Sequence, residues 1–237
     1  MRKVCYNKPP KGSDVMTKEQ KALIDGISLK NLQTIASIFE DESEEARDYF
    51  NKRLQKLSME RKDFQDALEL SKEIPIYYAP TLGIDFEKKA WKDCTVYDYY
   101  HMSEEEKPNL CFFGPAKISN LNCAVNFLLH HLQDKVKICR EGNAVIPSGT
   151  EILDQDLEEK KALVEEQYDA IYDGITNSLD DIDTKYVFTF RKTAVSIMDL
   201  LLSKSHHSDL IEIFARYSTL EELKSKNGKC YRKFIRK

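Results

Sequence analysis

Residues 118–132 read ISNLNCAVNFLLHHL, and Ile118, Leu121, Val125, Leu128 and Leu132 in them advance by 3, 4, 3 and 4. That spacing puts apolar side chains on one stripe of an α-helix and is incompatible with the period of two of a strand. The same rhythm recurs on both sides of this stretch. Downstream, Leu157, Val164, Tyr168, Ile171, Ile175 and Leu179 step by 7, 4, 3, 4 and 4, with Glu158, Glu159, Glu165 and Glu166 on the opposite face. Ser148 and Glu151 form a capping box at the start of that run, with Thr150 as the alternative cap. Thirty helical residues there would extend about 45 Å, with Gly174 as the point of a kink. Val187, Phe190, Ala194, Met198 and Leu201 continue the helical spacing, as do Leu210, Ile213, Phe214 and Tyr217. Ser218 with Glu221 predicts the cap of a last short helix ending near Gly228.

Upstream, Thr17 and Gln20 open a short helix that stops at Gly26. Leu29, Leu32, Ile35 and Phe39 make a second helical face. Asp41 or Ser43 caps a third helix carrying Ala46, Tyr49, Phe50, Leu54 and Leu57. Ser58 predicts the start of a fourth, with Phe64, Ala67, Leu68 and Leu70 on its face and Pro75 as its stop.

Punctuation separates these helical ends from a different middle. Five of the seven prolines, Pro75, Pro80, Pro108, Pro115 and Pro147, fall between Ile74 and Gly149. This middle holds IPIYYAP (74–80), IDFEKKAWKDCTVYDYYHM (84–102) and CFFGP (111–115). The prolines of IPIYYAP exclude a central strand there, and Tyr97, Tyr99, Tyr100, Phe112 and Phe113 read as packing beneath loops, with a base-stacking or peptide groove as the alternative. VKICREGNAVIPSG (136–149) predicts a small hairpin around Gly142-Asn143. The fold class is therefore mainly α: two helical lobes around an irregular, aromatic-rich middle, with at most one β-hairpin. The segments are a basic N-terminal arm (1–16), an N-terminal lobe (17–73), a connecting region with one helix (74–149), a C-terminal lobe (150–223) and a basic tail (224–237).

Composition agrees with a folded helical chain. Of 237 residues, 41% are hydrophobic and 32% charged, and the net charge of −4 is too small for a disordered chain. No apolar run approaches the length of a membrane span, and no apolar segment follows the basic start as in a secretory signal. Only eight glycines, none closely paired, disfavour phosphate-cradling loops. Six cysteines (5, 94, 111, 123, 139 and 230) lack regular spacing and read as reduced thiols in the cytosol or nucleus. Cys94, Cys111 and Cys123, among apolar neighbours, read as buried.

The charge layout is the strongest functional signal. Residues 1–18 carry five basic residues against one acid, a net +4, and residues 224–237, KSKNGKCYRKFIRK, carry seven and no acid. The remainder of the chain must therefore hold −15. The tail interleaves Tyr231 and Phe234 with Lys229, Arg232, Lys233 and Arg236, and Arg2 and Lys3 stand at the other end. Such a composition suits phosphate contact with base stacking, docking on an acidic surface of another copy, or a solubilising or localisation tail. Arg191 and Lys192 join Arg47, Lys52, Arg53, Arg61 and Lys62 as body residues for a basic groove.

No catalytic constellation stands out. GxGxxG, GxxxxGK[ST], HExxH and GxSxG are all missing. His130, Cys123 and Asp134 share an outer helix face, but Cys123 and His130 lie about 10.5 Å apart along it, too far for one ion. His206-His207 read as a turn. Asp154, Asp156, Glu158 and Glu165 mimic EF-hand spacing, but Glu159 stands where the loop needs glycine. Glu158 and Lys160 sit on a helix, not a strand, and Asp180, Asp181 and Asp183 read as helix termination. The expectation is a non-enzymatic assembly or binding protein without metal or cofactor. Its arms would bind RNA and support self-association, a layout similar in size and plan to small viral nucleoproteins though no motif is shared. The alternative is a helical adaptor for a partner peptide or protein, with the tail serving localisation.

Overall fold

A computed structural model describes residues 18, 21, 25, 26, 28, 31, 44–81, 83–88, 91–109, 113–177, 187–202 and 207–225. The chain divides into two units, Met1–Asp63 and Phe64–Lys237. The described residues are mainly α-helical, with a single two-stranded antiparallel sheet.

Helix α1 runs from Glu44 to Leu70 without interruption. The expected break at Ser58 does not occur. No Gly or Pro lies between these ends, and a solvent-facing serine costs a helix interior only tenths of a kcal/mol, about 0.5 at most. In the first unit, Asp25 accepts a hydrogen bond from Tyr49 Oη at 3.0 Å, and its carbonyl accepts one from Arg53 at 3.0 Å. Lys21 Nζ lies 5.4 Å from the centre of the Tyr49 ring.

In the second unit, short 3₁₀ turns at Ser71–Glu73 and Ile76–Tyr78 lead out of α1. Pro75 pairs with Thr95 as an isolated bridge, and Thr95 with Asp98 forms the capping box of α2 (Val96–His101). Helix α3 (Pro115–Glu141) starts with proline in its first turn, where the missing N–H is no loss. It buries Leu121, Ala124, Val125, Leu128, Leu129, Leu132 and Val136 along the expected stripe. Helix α4 (Gly149–Glu166) opens on the Ser148–Glu151 capping box. It ends at Gln167, short of the kink expected at Gly174, and α5 (Tyr168–Thr176) follows. Gln167 Nε2 donates to the Leu223 carbonyl at 2.7 Å, which fixes the break against the last described helix.

The hairpin lies elsewhere than the sequence suggests. The expected site at Gly142-Asn143 is the end of α3. There Asn143 takes a left-handed φ of 51°, and the Gly142 and Ala144 amides bond back to Ile138 and Cys139. This is helix termination, not a β-turn. Residues 187–201, expected as helix, instead form β1 (Val187–Phe190) and β2 (Thr193–Ser196) before α6 (Ile197–Leu202). The register pairs Val187 with Ser196 and Phe190 with Thr193. The turn places Arg191 at φ 48° and Lys192 at φ 72°, the two positive values of a type I′ turn. The run Val-Phe-Thr-Phe favours a strand locally, but the turn lacks the Asn-Gly pair that normally announces it. The double substitution Arg191→Asn with Lys192→Gly is expected to raise stability by about 1 kcal/mol by relieving two left-handed side-chain-bearing residues. A higher urea midpoint with unchanged slope is the readout; an unchanged or lower midpoint would refute it.

Helices α7 (His207–Tyr217) and α8 (Leu220–Lys224) complete the described chain. Two buried clusters result. The first gathers Ala67, Ile74, Ile76, Ile84, Phe86, Trp91, Tyr99 and Phe113 with the α3 stripe and Ile152. Trp91 stacks on Phe113 at 5.4 Å and meets the edge of Phe86 at 5.6 Å. Tyr99 is buried and Tyr100 exposed, and Phe112 lies outside the described residues. The second cluster gathers Val164, Ile171, Ile175, Phe188, Phe190, Ile197 and the α7 face from Leu210 to Ala215. Helix α4 serves both, through Ile152 in the first and Val164 in the second. No described helix is long and apolar enough to cross a membrane.

Candidate functional site

The two clusters meet along a cleft of about 730 Å³. Its walls are α3 (Asn120, Cys123, Phe127, His131), α4 (Leu153, Asp156, Leu157, Lys160), the segment Tyr77–Thr81, and the residues around the α7–α8 junction. Periodicity explains the wall of α3. Its stripe turns Leu128 and Leu132 into the first cluster and leaves Phe127, 54% exposed, one position off the stripe at the cleft. Cys123, expected to be buried, is exposed on the same wall, while Cys94 is buried and Cys139 half-buried.

The floor is fixed by hydrogen bonds. Tyr217 Oη accepts from the Thr189 amide at 2.8 Å and donates to the Thr81 carbonyl at 2.5 Å. Thr189 Oγ1 also donates to the Ile84 carbonyl at 2.7 Å. The amides of Gly83 and Phe86 reach the carbonyls of Val187 and Lys192, at 2.5 and 2.8 Å. The hairpin is thus bound to the 81–86 segment along its length. Burial pushes the Tyr217 hydroxyl up to about 12, so it remains a donor at any ordinary pH.

The sequence places the last cap one residue early. Thr219 and Glu222, not Ser218 and Glu221, form the capping box of α8. Ser218 is therefore released from capping. It is 3% exposed, its Oγ has no hydrogen-bond partner among the described residues, and it lines the cleft.

One charged cluster stands at the rim. Asp156 Oδ2 accepts from His131 Nε2 at 2.5 Å, and its Oδ1 accepts from Lys135 Nζ at 2.6 Å. Burial pushes the Asp156 carboxyl up, but the hydrogen bonds from His131 and Lys135 outweigh it and hold it below the usual carboxylate range. Tyr78 Oη donates to Asp154 at 3.1 Å, and burial first, then that carboxylate, pushes its hydroxyl up to about 12. A depressed aspartate stabilises the fold above the ordinary carboxyl value near 4, and the contribution is lost as pH falls through the lower folded value. Asp156→Asn is expected to cost about 2 kcal/mol at pH 7, because Lys135 and His131 lose an ionised partner. The deficit should begin to shrink below about pH 4, where the unfolded carboxyl becomes protonated, and close only below the lower folded value. Urea midpoints at pH 7 and pH 3 check this, and a deficit undiminished at pH 3 would contradict it.

The residues singled out from the sequence are distributed as follows. Lys229, Tyr231, Arg232, Lys233, Phe234, Arg236, Arg2 and Lys3 lie outside the described residues. Arg191 and Lys192 share the hairpin turn: Arg191 pairs with Asp209 at 3.1 Å, and Lys192 Nζ lies 5.0 Å from the ring of Tyr77. Lys52, Arg61 and Lys62 are exposed on α1, and Arg53 is engaged by Asp25. His130 bonds Gln133 at 3.1 Å and contacts the Phe64 ring. Glu158 pairs with Lys161 on the helix, and His207 meets Glu165 at 3.0 Å. Asp180, Asp181, Asp183 and His206 lie outside the described residues. Among the described residues, no group of three or more His, Cys, Asp or Glu is placed to hold a metal ion. The cleft itself was not foreseen: its walls come from residues up to 143 positions apart, Tyr77 to Leu220. Compared with family models, curated proteins and solved structures, the chain matches none.

Proposed function

We propose that the chain is a non-enzymatic binding protein whose cleft receives a peptide segment of a partner protein, working in the cytosol or nucleus where its thiols stay reduced. One observation carries this reading: an open, mainly apolar cleft of about 730 Å³ between two separately packed clusters, with Phe127 projecting into it half-exposed. Concave apolar sites between packed units, with a few polar groups to fix orientation, are where ligands bind. An aromatic side chain left exposed on a helix wall is an anchor for a partner residue. Asp156 supports a structural role for the charged rim over acid–base chemistry. Both its oxygens are occupied, and its shift is towards the ionised form, away from a proton donor.

The test is a displayed library of twelve-residue peptides selected on the full chain, followed by calorimetry on the Phe127→Arg variant. Peptides that bind saturably and lose at least tenfold affinity with Phe127→Arg support the reading. A library that yields no saturable binder, or binders indifferent to that variant, overturns it. Phe127 is exposed enough that its replacement leaves both clusters intact.

A second reading is favoured by the charge split. Residues 1–18 and 224–237 together carry +11 against −15 elsewhere, which suits arms that bind RNA and support self-association. Nucleic acid that co-purifies with the full chain at low salt, and is lost when Lys229, Arg232, Lys233 and Arg236 are all replaced by serine, supports it. A preparation free of nucleic acid refutes it.

A further inference from the structure

The cleft runs on into a shallower depression of about 630 Å³, with which it shares His131 and Leu220. The ionised side chains that line the two are Lys135, Lys160, Arg216 and Lys224 against Asp156 and Glu221. Four cations face two acids, so the lining carries a net +2 although the chain as a whole carries −4. We propose that the segment received by the cleft is acidic. An aspartate or glutamate side chain of the peptide seats its carboxylate on Arg216 and Ser218 at the α7–α8 junction, and an apolar side chain of the same segment packs on Phe127. The proposal rests on the peptide-binding reading of the cleft and names the chemistry of the peptide it takes.

Arg216 is the cation with donors to spare. Its Nε and Nη2 both reach Glu212 Oε1, at 2.9 and 2.8 Å. Glu212 stands one turn earlier on α7 and is not part of the lining. A guanidinium carries five N–H groups, so Nη1 and the second N–H of Nη2 have no acceptor among the described residues. Lys135 and Lys224, by contrast, are already matched, by Asp156 at 2.6 Å and by Glu159 at 3.0 Å. The Arg216 charge also reaches the cleft wall. Burial pushes the Tyr78 and Tyr217 hydroxyls up, and the Arg216 charge opposes that push on both of these lining residues. Ser218 is an independent observation. Its hydroxyl is buried at the cleft, caps no helix and has no hydrogen-bond partner among the described residues. An unbonded buried hydroxyl is a cost to the fold that a ligand at the same cavity removes. A carboxylate is acceptor only, so guanidinium and hydroxyl donors together favour an acid over an amide or a lysine. The apolar part of the segment is served by Phe127, Leu153 and Leu157 on the α3 and α4 walls.

The test uses twelve-residue peptides selected on the full chain and resynthesised with both ends blocked, so that only side chains carry charge. The binders are expected to share an aspartate or glutamate at one recurring position. Replacing that residue by its amide should cost at least tenfold in affinity on the wild-type chain, as for a charge-assisted contact. On Arg216→Gln the same replacement should cost less than about twofold, because the cation it answers is gone. Affinity for the acidic peptide should also fall as salt is raised, while that for its amide analogue holds. Ser218→Ala guards against a merely structural effect. It removes a hydroxyl without a described partner, so the urea midpoint should hold or rise while the acidic peptide binds at least about threefold more weakly. A pool without a recurring acid overturns the proposal. So does an acid-to-amide loss of equal size on wild type and Arg216→Gln, or an affinity that Ser218→Ala leaves unchanged. If binders require Phe127 but are indifferent to the acid, the cleft binds peptides and only the acidic partner is wrong. If no peptide binds saturably, both readings fall.

Discussion

Gly149→Ala is expected to destabilise the second unit by about 3 kcal/mol. A methyl group built at Gly149 lies 2.6 Å from Ile74 Cδ1 and 2.8 Å from the Leu70 carbonyl oxygen. Neither neighbour can yield easily. Ile74 is fully buried in the first cluster, and the Leu70 oxygen is main chain at the junction of α1 with the Ser71–Glu73 turn, so it moves only with the backbone. The position also matters for what it joins. Ser148 and Glu151 cap α4 around Gly149, and the Ile74 carbonyl accepts from the Val96 amide at 2.8 Å. Pushing α4 away from Ile74 therefore disturbs the start of the cleft wall and the bridge that seats α2. Overpacking a close-packed site costs about 1–3 kcal/mol, with the upper end reached where backbone is in the way. Against a total stability of about 5–15 kcal/mol this is a large fraction. A urea midpoint that drops in proportion, with Gly149→Ser at least as damaging, checks the prediction. A midpoint within error of wild type would show that α4 can slide without cost.

The sequence speaks clearly where structure is local and falls silent where it is not. The helical stripe of α3 and the Ser148–Glu151 cap of α4 were readable because each depends on residues three and four apart. The hairpin was missed for a local reason with a non-local remedy. Val187, Phe190 and Ala194 also fit a helical face, and Arg191-Lys192 is a poor type I′ turn. What holds the turn is the pairing of Gly83 and Phe86 with the hairpin carbonyls, a hundred residues away in sequence. Ser218 and Thr219 are adjacent, each with a glutamate three residues on, so both read as caps. Only packing decides that Thr219 caps and Ser218 faces the cleft. The cleft had one faint signal. Phe127 sits beside the stripe of α3 rather than on it, an apolar residue that the helix itself does not bury. Asp156 had none, since His131 and Lys135 reach it from positions 25 and 21 residues earlier.

Tyr217→Phe should cost about 2 kcal/mol, although it removes a single oxygen. That oxygen is the only described partner of the Thr189 amide outside the strand pairing, and it also reaches the Thr81 carbonyl. Phenylalanine leaves Thr189 N–H without that acceptor in a strand whose Phe188, Thr189 and Phe190 are all buried, and an unsatisfied buried donor carries a penalty of about 1–3 kcal/mol. The ring itself remains. Its edge-to-face contact with Phe188, 4.7 Å between centres, survives the change, so the loss reports the hydroxyl alone. The consequence is directional because Thr81 belongs to the segment that leaves the first cluster, while Thr189 and Tyr217 belong to the elements that build the second. Losing the link lets the hairpin separate from residues 81–86, and the floor of the cleft loosens before either cluster unfolds. Hydrogen exchange is the discriminating measurement. The amides of Gly83, Phe86 and Thr189 should exchange at least tenfold faster in Tyr217→Phe, while those of Leu128 and Leu129 in the α3 core change only with global stability. Uniform acceleration across all five would mean that the two clusters unfold together and that Tyr217 contributes stability without setting the cleft floor.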